Sequence, residues 1–186
     1  MTYHSEVVGS LLRPAYLVDA RKQFEAGQLN AADFKTVEDR AVNEAIALQE
    51  AAGIDVITDG EMRRYAFYGH LIDALEGFDK FGGWAIPFRD ETGEQLILKR
   101  PVVVERLKWR RSMCSEEWVY LRSRKSYPGK VTMISAQQAA AYYDPEKSRS
   151  AYPSRDAYLA DIVDFSRCEV EELIRLGCTY IQIDAP

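Results

Sequence analysis

Residues 154–186, SRDAYLADIVDFSRCEVEELIRLGCTYIQIDAP, decide how the rest of the chain is read. Ser154 stands where a hydroxyl can accept from the unpaired N–H groups of a helix start. Leu159, Ile162, Val163, Val170, Leu173 and Ile174 recur at helical spacing and make one apolar face. Gly177 closes the helix. Cys178 to Ile183 follow as a strand, and Asp184-Ala185-Pro186 sit at its end. A helix feeding a strand that ends in a polar side chain is the repeating unit of a parallel α/β sheet.

The same punctuation recurs upstream. Glu6-Val7-Val8 is β-prone and runs into Gly9-Ser10. Pro14, at a first helical position, opens a helix over Ala15 to Ala26 that Gly27 ends. Asn30 caps the next helix, with Asp33 at its positive end. Its inward stripe is expected at Phe34, Val37, Ala41, Ala45, Leu48 and Ala52, and Gly53 ends it. The strand Ile54 to Thr58 then meets Asp59-Gly60-Glu61. A helix is expected over Met62 to Leu75 and a loop over Gly77 to Gly83. A β-hairpin over Trp84 to Leu107 turns at Asp90-Glu91-Thr92-Gly93. Ser115 caps a helix from Glu116 to Ser126, Lys130 to Ile134 form a core strand, and Ala136 to Tyr143 a short helix.

Two parallel architectures compete for this order. A doubly wound nucleotide-binding sheet wants a glycine-rich first turn, and Gly9-Ser10-Leu11-Leu12-Arg13 offers one glycine. A (β/α)8 TIM barrel fits better, because polar residues stand directly after several strands. A barrel takes roughly 250 residues. The 186 present supply four core strands. The expected fold is α/β: a single domain over residues 1–186, the first half of a TIM-type barrel truncated after its fourth core strand, with the hairpin 84–107 inserted.

Composition narrows the partners. A net charge of −5 gives no general pull toward nucleic acid or an anionic membrane. The basic runs Lys108-Trp109-Arg110-Arg111 and Arg122-Ser123-Arg124-Lys125 read as solvated surface. No apolar run reaches the length of a membrane span, and Met1 to Val8 lack the pattern of a signal peptide. Three scattered cysteines make no disulfide framework, so a reducing cytoplasm is the expected setting. Cys168 and Cys178 are expected as buried small apolar residues, and Trp84, Trp109 and Trp118 as local core. Arg13, Arg63 and Arg64 are expected to bridge nearby acids. With no C-x-x-C pair and two distant histidines, no metal ligand set is expected within these residues.

Gly9-Ser10, Asp59-Gly60-Glu61 and Asp184 each follow a β segment, and in a barrel they converge on one mouth. Two carboxylates and a Gly-Ser turn suit an amino acid. Glu61 and Asp184 would accept from its ammonium, and Ser10 would hold its carboxylate.

Three segments carry a more specific resemblance: Val8-Gly9-Ser10-Leu11-Leu12-Arg13-Pro14, Asp59-Gly60-Glu61-Met62-Arg63-Arg64 and Tyr180-Ile181-Gln182-Ile183-Asp184-Ala185-Pro186. In order and spacing the chain resembles the cobalamin-independent methionine synthase family, above all its shorter single-barrel members. The resemblance implies zinc-dependent methyl transfer to a thiol, homocysteine in the synthase. It also implies that Val8, Gly9, Ser10 and Glu61 hold the amino-acid end, with Asp184 contacting the ammonium. The family's zinc ligands and catalytic histidine lie on the second half of its barrel, so zinc is expected with ligands outside this chain. Gly129-Lys130-Val131-Thr132 resembles the family's Gly-Pro-Val-Thr strand. Ala136 stands where the synthase has a folate-stacking tryptophan, which argues against methylated folate as donor. Where shorter members often carry a histidine before Val-Gly-Ser, this chain has Val7, with His4 three residues earlier.

The expectation is therefore the substrate-binding half of a thiol methyltransferase, with a small amino-acid thiol as partner and no activity from this chain alone. Related alkyl transfer to another thiol, or a non-catalytic half-barrel that binds or assembles, are the alternatives. Bare strand edges predict self-association or a missing second half-barrel.

Overall fold

The computed structural model describes residues 4–89, 93 and 95–186. It is mixed α/β. In chain order the elements are α1 (Ala15–Glu25), α2 (Ala31–Ala51), α3 (Gly69–Ala74), β1 (Leu75–Asp79), β2 (Ala85–Arg89), β3 (Gln95–Lys99), β4 (Val102–Trp109), α4 (Ser115–Arg124), β5 (Val131–Ile134), α5 (Ala136–Ala139), a 3-10 turn (Ala140–Tyr142), α6 (Arg155–Arg175) and β6 (Ile181–Asp184). Two compact units share them. The first comprises Met1–Phe67, Cys114–Thr132 and Leu173–Gln182; the second comprises Tyr68–Met113, Met133–Glu172 and Ile183–Pro186.

The first unit is built on strand segments that neighbour each other in chain order. Glu6 bridges Val56 in parallel, and Ile57 bridges Gly129 in parallel. The N–H of Val131 then donates to Tyr180 at 3.1 Å. Helices flank these segments. Asn30 caps α2 by accepting from Asp33 N–H at 2.9 Å, and Phe34 stacks on Phe24 of α1 with centroids 4.7 Å apart. Pro14 lies one position earlier than expected, as the residue before α1. The inward face of α2 is also rotated from the expected stripe. Val42, Ile46 and Gln49 are buried beside Phe34, Ala41 and Ala45, while Leu48 and Ala52 are exposed. Gln49 draws the face round, because its amide is needed inside by Thr58.

The second unit holds the larger correction. Met62 to Leu75 is not one helix: only Gly69–Ala74 is helical, and Leu75–Asp79 is a strand paired antiparallel with β4. The pairing is bulged between Glu76 and Phe78, and Gly77 sits there at φ 105°. A Cβ on Gly77 would meet the Glu105 carbonyl oxygen at 2.8 Å, so the close approach of the two strands requires glycine. β2 and β3 form their own antiparallel pair. The turn expected at 90–93 falls outside the described residues except for Gly93. An aromatic core fills the unit, with Phe78 edge-on to Tyr142 and Tyr158, and Tyr152 edge-on to Tyr158.

Other local expectations also change. α4 begins at Ser115 itself, and Cys114 precedes it without a side-chain cap. Ser154 does cap α6, accepting from Ala157 N–H at 3.2 Å. On α6, Tyr158, Ile162, Glu169 and Leu173 are buried, whereas Val163 and Ile174 are exposed. Trp118 is core, but Trp84 and Trp109 are surface. Cys178 is buried and Cys168 exposed. Among the described residues no helix is long and apolar enough to cross a membrane.

Candidate functional site

The site is the Asp59-Gly60-Glu61 turn in the first unit, and α2 sets its position. The Gln49 amide donates to Thr58 O at 2.8 Å and accepts from Thr58 N–H at 2.9 Å, pinning the strand end from the helix. Thr58 Oγ1 then accepts from Gly60 N–H at 3.0 Å, and Asp59 Oδ1 accepts from Glu61 N–H at 2.8 Å. Gly60 lies at φ 71°, with Ala45, Met62 and Leu11 within 3.3 Å of where a Cβ would stand. Glu61, at φ 55°, is the non-glycine residue of this turn in the left-handed region. Such a backbone costs of order 1–2 kcal/mol, and here the bonds on either side hold it.

The segment after Gly9 docks on this turn. Leu11 N–H donates to Gly60 O at 3.2 Å. Arg13 donates to the carbonyls of Arg64 at 2.7 Å and Glu61 at 3.0 Å. Ser10 Oγ is thereby delivered to Glu61 and donates to its Oε2.

Behind Glu61, which is 1% exposed, lies a buried network. Thr132 Oγ1, on β5, donates to Glu61 Oε1 at 2.7 Å. Arg64 Nη1 donates to the same hydroxyl at 3.1 Å and stands 3.4 Å from Glu61 Oε1. The Arg64 guanidinium points its main fork at Glu117 on α4, through Nε at 3.0 Å and Nη2 at 2.6 Å. Burial pushes the Glu117 carboxyl up to about 7, and the negative charges of Asp59 and Glu61 add to the rise that Arg64 opposes. Burial works against the Arg64 charge as well. Glu117, Cys114 and Glu61 outweigh it and hold that guanidinium well above its ordinary value. Asp59 Oδ2 is buried with no hydrogen-bond partner.

Of the residues expected from sequence, Ser10 and Glu61 meet directly. Val8 is exposed, and its carbonyl accepts from Gln182 Nε2 at 2.8 Å. Gly9 is exposed, with open space where a side chain would begin. Asp184 belongs to the second unit, at the end of β6, where it is partly buried and its carbonyl accepts from Ser135 N–H at 2.8 Å. Sequence reasoning missed Thr132, Glu117 and Gln49. Arg63 and Arg64 bridge acids as expected, whereas the hydrogen bonds recorded for Arg13 go to backbone carbonyls.

The fold is thus mixed α/β, with a hydroxyl and a buried carboxylate joined at the Asp59-Gly60-Glu61 turn. The catalytic-domain model of the cobalamin-independent synthases matches residues 4–186, and the chain belongs to that family. It is 28% identical over 185 residues to the methionine synthase of Sulfurisphaera tokodaii, covering 97% of this chain and 51% of that protein. It is also 28% identical to a 5-methyltetrahydropteroyltriglutamate–homocysteine methyltransferase of Syntrophotalea carbinolica, covering 98% of this chain and 23% of that one. A solved B12-independent methionine synthase from Shewanella sp. W3-18-1, in complex with selenomethionine, superposes with a TM-score of 0.73 at 23% identity. That match covers 98% of this chain and 51% of the solved one. The chain thus spans about half the length of the archaeal methionine synthases it matches.

Among the described residues no three His, Cys, Asp or Glu side chains gather as a metal site. Cys178 is buried three residues before β6, and Cys168 lies on α6.

Proposed function

We propose that this chain is the first half of a (β/α)8 barrel and binds the amino-acid end of a thiol substrate, homocysteine or a close relative, for methyl transfer. Neighbouring strand segments at Glu6, Val56–Ile57, Gly129–Val131 and Tyr180, met in chain order, support the half-barrel. The observation that carries the binding role is the Ser10–Glu61 pair. Its carboxylate suits an α-ammonium and its hydroxyl an α-carboxylate, so one ligand could replace the bond that the two make with each other. Val8 and Gly9 would give backbone groups to the same end of the ligand. This binding role needs only residues of this chain. Zinc, if the complete enzyme uses it, would be held by residues elsewhere, and a donor other than methylated folate fits Ala136 at the start of α5.

Calorimetry with L-homocysteine and its des-amino analogue tests the reading on the 186-residue chain. The des-amino compound should bind roughly 10- to 100-fold more weakly, the worth of a hydrogen bond to a charged group. Glu61→Gln should remove the difference. Equal binding of both compounds by the wild-type chain would refute the assignment of Glu61.

A further inference from the structure

The guanidinium of Arg64 stands between two buried carboxylates and is shared unequally. Glu117 takes the two-pronged contact at 3.0 and 2.6 Å, while Glu61 Oε1 is left at 3.4 Å, with the Thr132 hydroxyl beside them bonded to both. We infer that Glu117 is a positioning residue: it holds the Arg64 fork off Glu61 and so leaves Glu61 Oε2, which the Ser10 hydroxyl occupies, able to take a cationic ligand group.

The charges of the cluster agree. Asp59, Glu61 and Glu117 set three carboxylates against the guanidiniums of Arg13 and Arg64, so with all five ionised the cluster is one cation short. Glu61 Oε2, the oxygen turned away from Arg64, is held by Ser10 Oγ, a neutral group that a ligand can displace. Asp59 Oδ2, buried and unpaired, adds to the negative potential at the same turn. If Arg64 closed on Glu61 instead, that carboxylate would be neutralised and an ammonium would gain little from it.

Protonation of Glu117 removes its hold on Arg64. The groups that face it are Arg64, Asp59 and Glu61 from the turn and Cys114 from the head of α4, with Arg13 beyond Glu61. The carboxylates among them favour the protonated form and Arg64 the ionised one, with the balance at about 7. Below that point Arg64 turns toward Glu61. Above it Glu61 is released, so affinity for an ammonium ligand rises with pH.

The arrangement of Arg64 is tested without ligand, and the consequence for binding rests on the amino-acid reading above. Nitrogen-15 spectra of the arginine side chains should show the Arg64 Nε–H signal titrating with a midpoint of about 7 in the wild-type chain. In Glu117→Gln that titration should be gone. By calorimetry, L-methionine should bind roughly tenfold more tightly at about pH 8 than at about pH 6, and Glu117→Gln should flatten this dependence. An Arg64 signal that does not titrate in the wild-type chain overturns the inference whether or not the variant folds. So does a folded Glu117→Gln protein with wild-type affinity and pH profile. Titration of Arg64 without L-methionine binding at either pH leaves the Glu117–Arg64 arrangement standing and overturns the amino-acid reading instead.

Discussion

Gln49, on the buried face of α2, holds both backbone groups of Thr58, donating to its carbonyl at 2.8 Å and accepting its N–H at 2.9 Å. The residues one to three positions further on are Asp59, Gly60 and Glu61, so one amide fixes where the site's carboxylate begins. Gln49→Leu should leave a buried N–H and a buried C=O unpaired and cost about 2–4 kcal/mol. Urea unfolding of the purified variant measures it. A loss below about 1 kcal/mol would mean that water or the backbone replaces the amide.

Gly60 carries the next link. Its φ of 71° strains any side chain, and its three close neighbours leave little room for one. Gly60→Ala should destabilise by about 1–3 kcal/mol. It should also weaken amino-acid binding, because Glu61 follows it directly. Denaturation and calorimetry on one preparation separate the two effects.

The pH dependence of stability has a definite sign at Glu117. Its carboxyl in the folded chain sits at about 7, above the ordinary value of 4.5. The folded state therefore binds this proton more tightly than the unfolded chain does. The stability this gives is complete below about 4.5 and is lost as pH rises through about 7. Wild-type minus Glu117→Gln stability, measured across that window, should fall with rising pH. A difference that is flat or rises contradicts the raised carboxyl.

Leu12 is 94% exposed and Val8 69%, both beside the Ser10 segment. On the proposed half-barrel reading, these two side chains would meet a second half-barrel or another copy. Sedimentation should show the 186-residue chain self-associating, with Leu12→Glu shifting it toward monomer. A wild-type chain that is monomeric at high concentration would remove that role from Leu12.

What was legible in the sequence is local. Asn30 and Ser154 cap because a side-chain oxygen meets an N–H three positions on, which spacing alone reveals. The turns at Ser10 and Glu61 are legible as turns, since each stands just past a short apolar run, but the segments before them carry isolated parallel bridges at Glu6, Val56 and Ile57 rather than the expected strands. The antiparallel partner of Leu75–Asp79 was not legible, because Leu-Glu-Gly-Phe-Asp carries no alternation and its pairing comes from Val102–Trp109, far along the chain. The contact of Arg64 with Glu117 joins residues 53 positions apart. Glu117 by itself reads as an acid in the first turn of a helix, and only the fold turns it inward. Leu48 was misplaced because hydrophobicity counted it as core, while the polar Gln49 had two backbone groups waiting inside.

In the proposed binding step Ser10 and Glu61 exchange their mutual bond for an amino acid. A crystal structure of the 186-residue chain with L-methionine tests this most directly. The account predicts the ligand ammonium within hydrogen-bond distance of Glu61 Oε2, the Ser10 hydroxyl turned to the ligand carboxylate, and Arg64 still forked on Glu117. L-methionine bound elsewhere, with the Ser10–Glu61 bond intact, would contradict it.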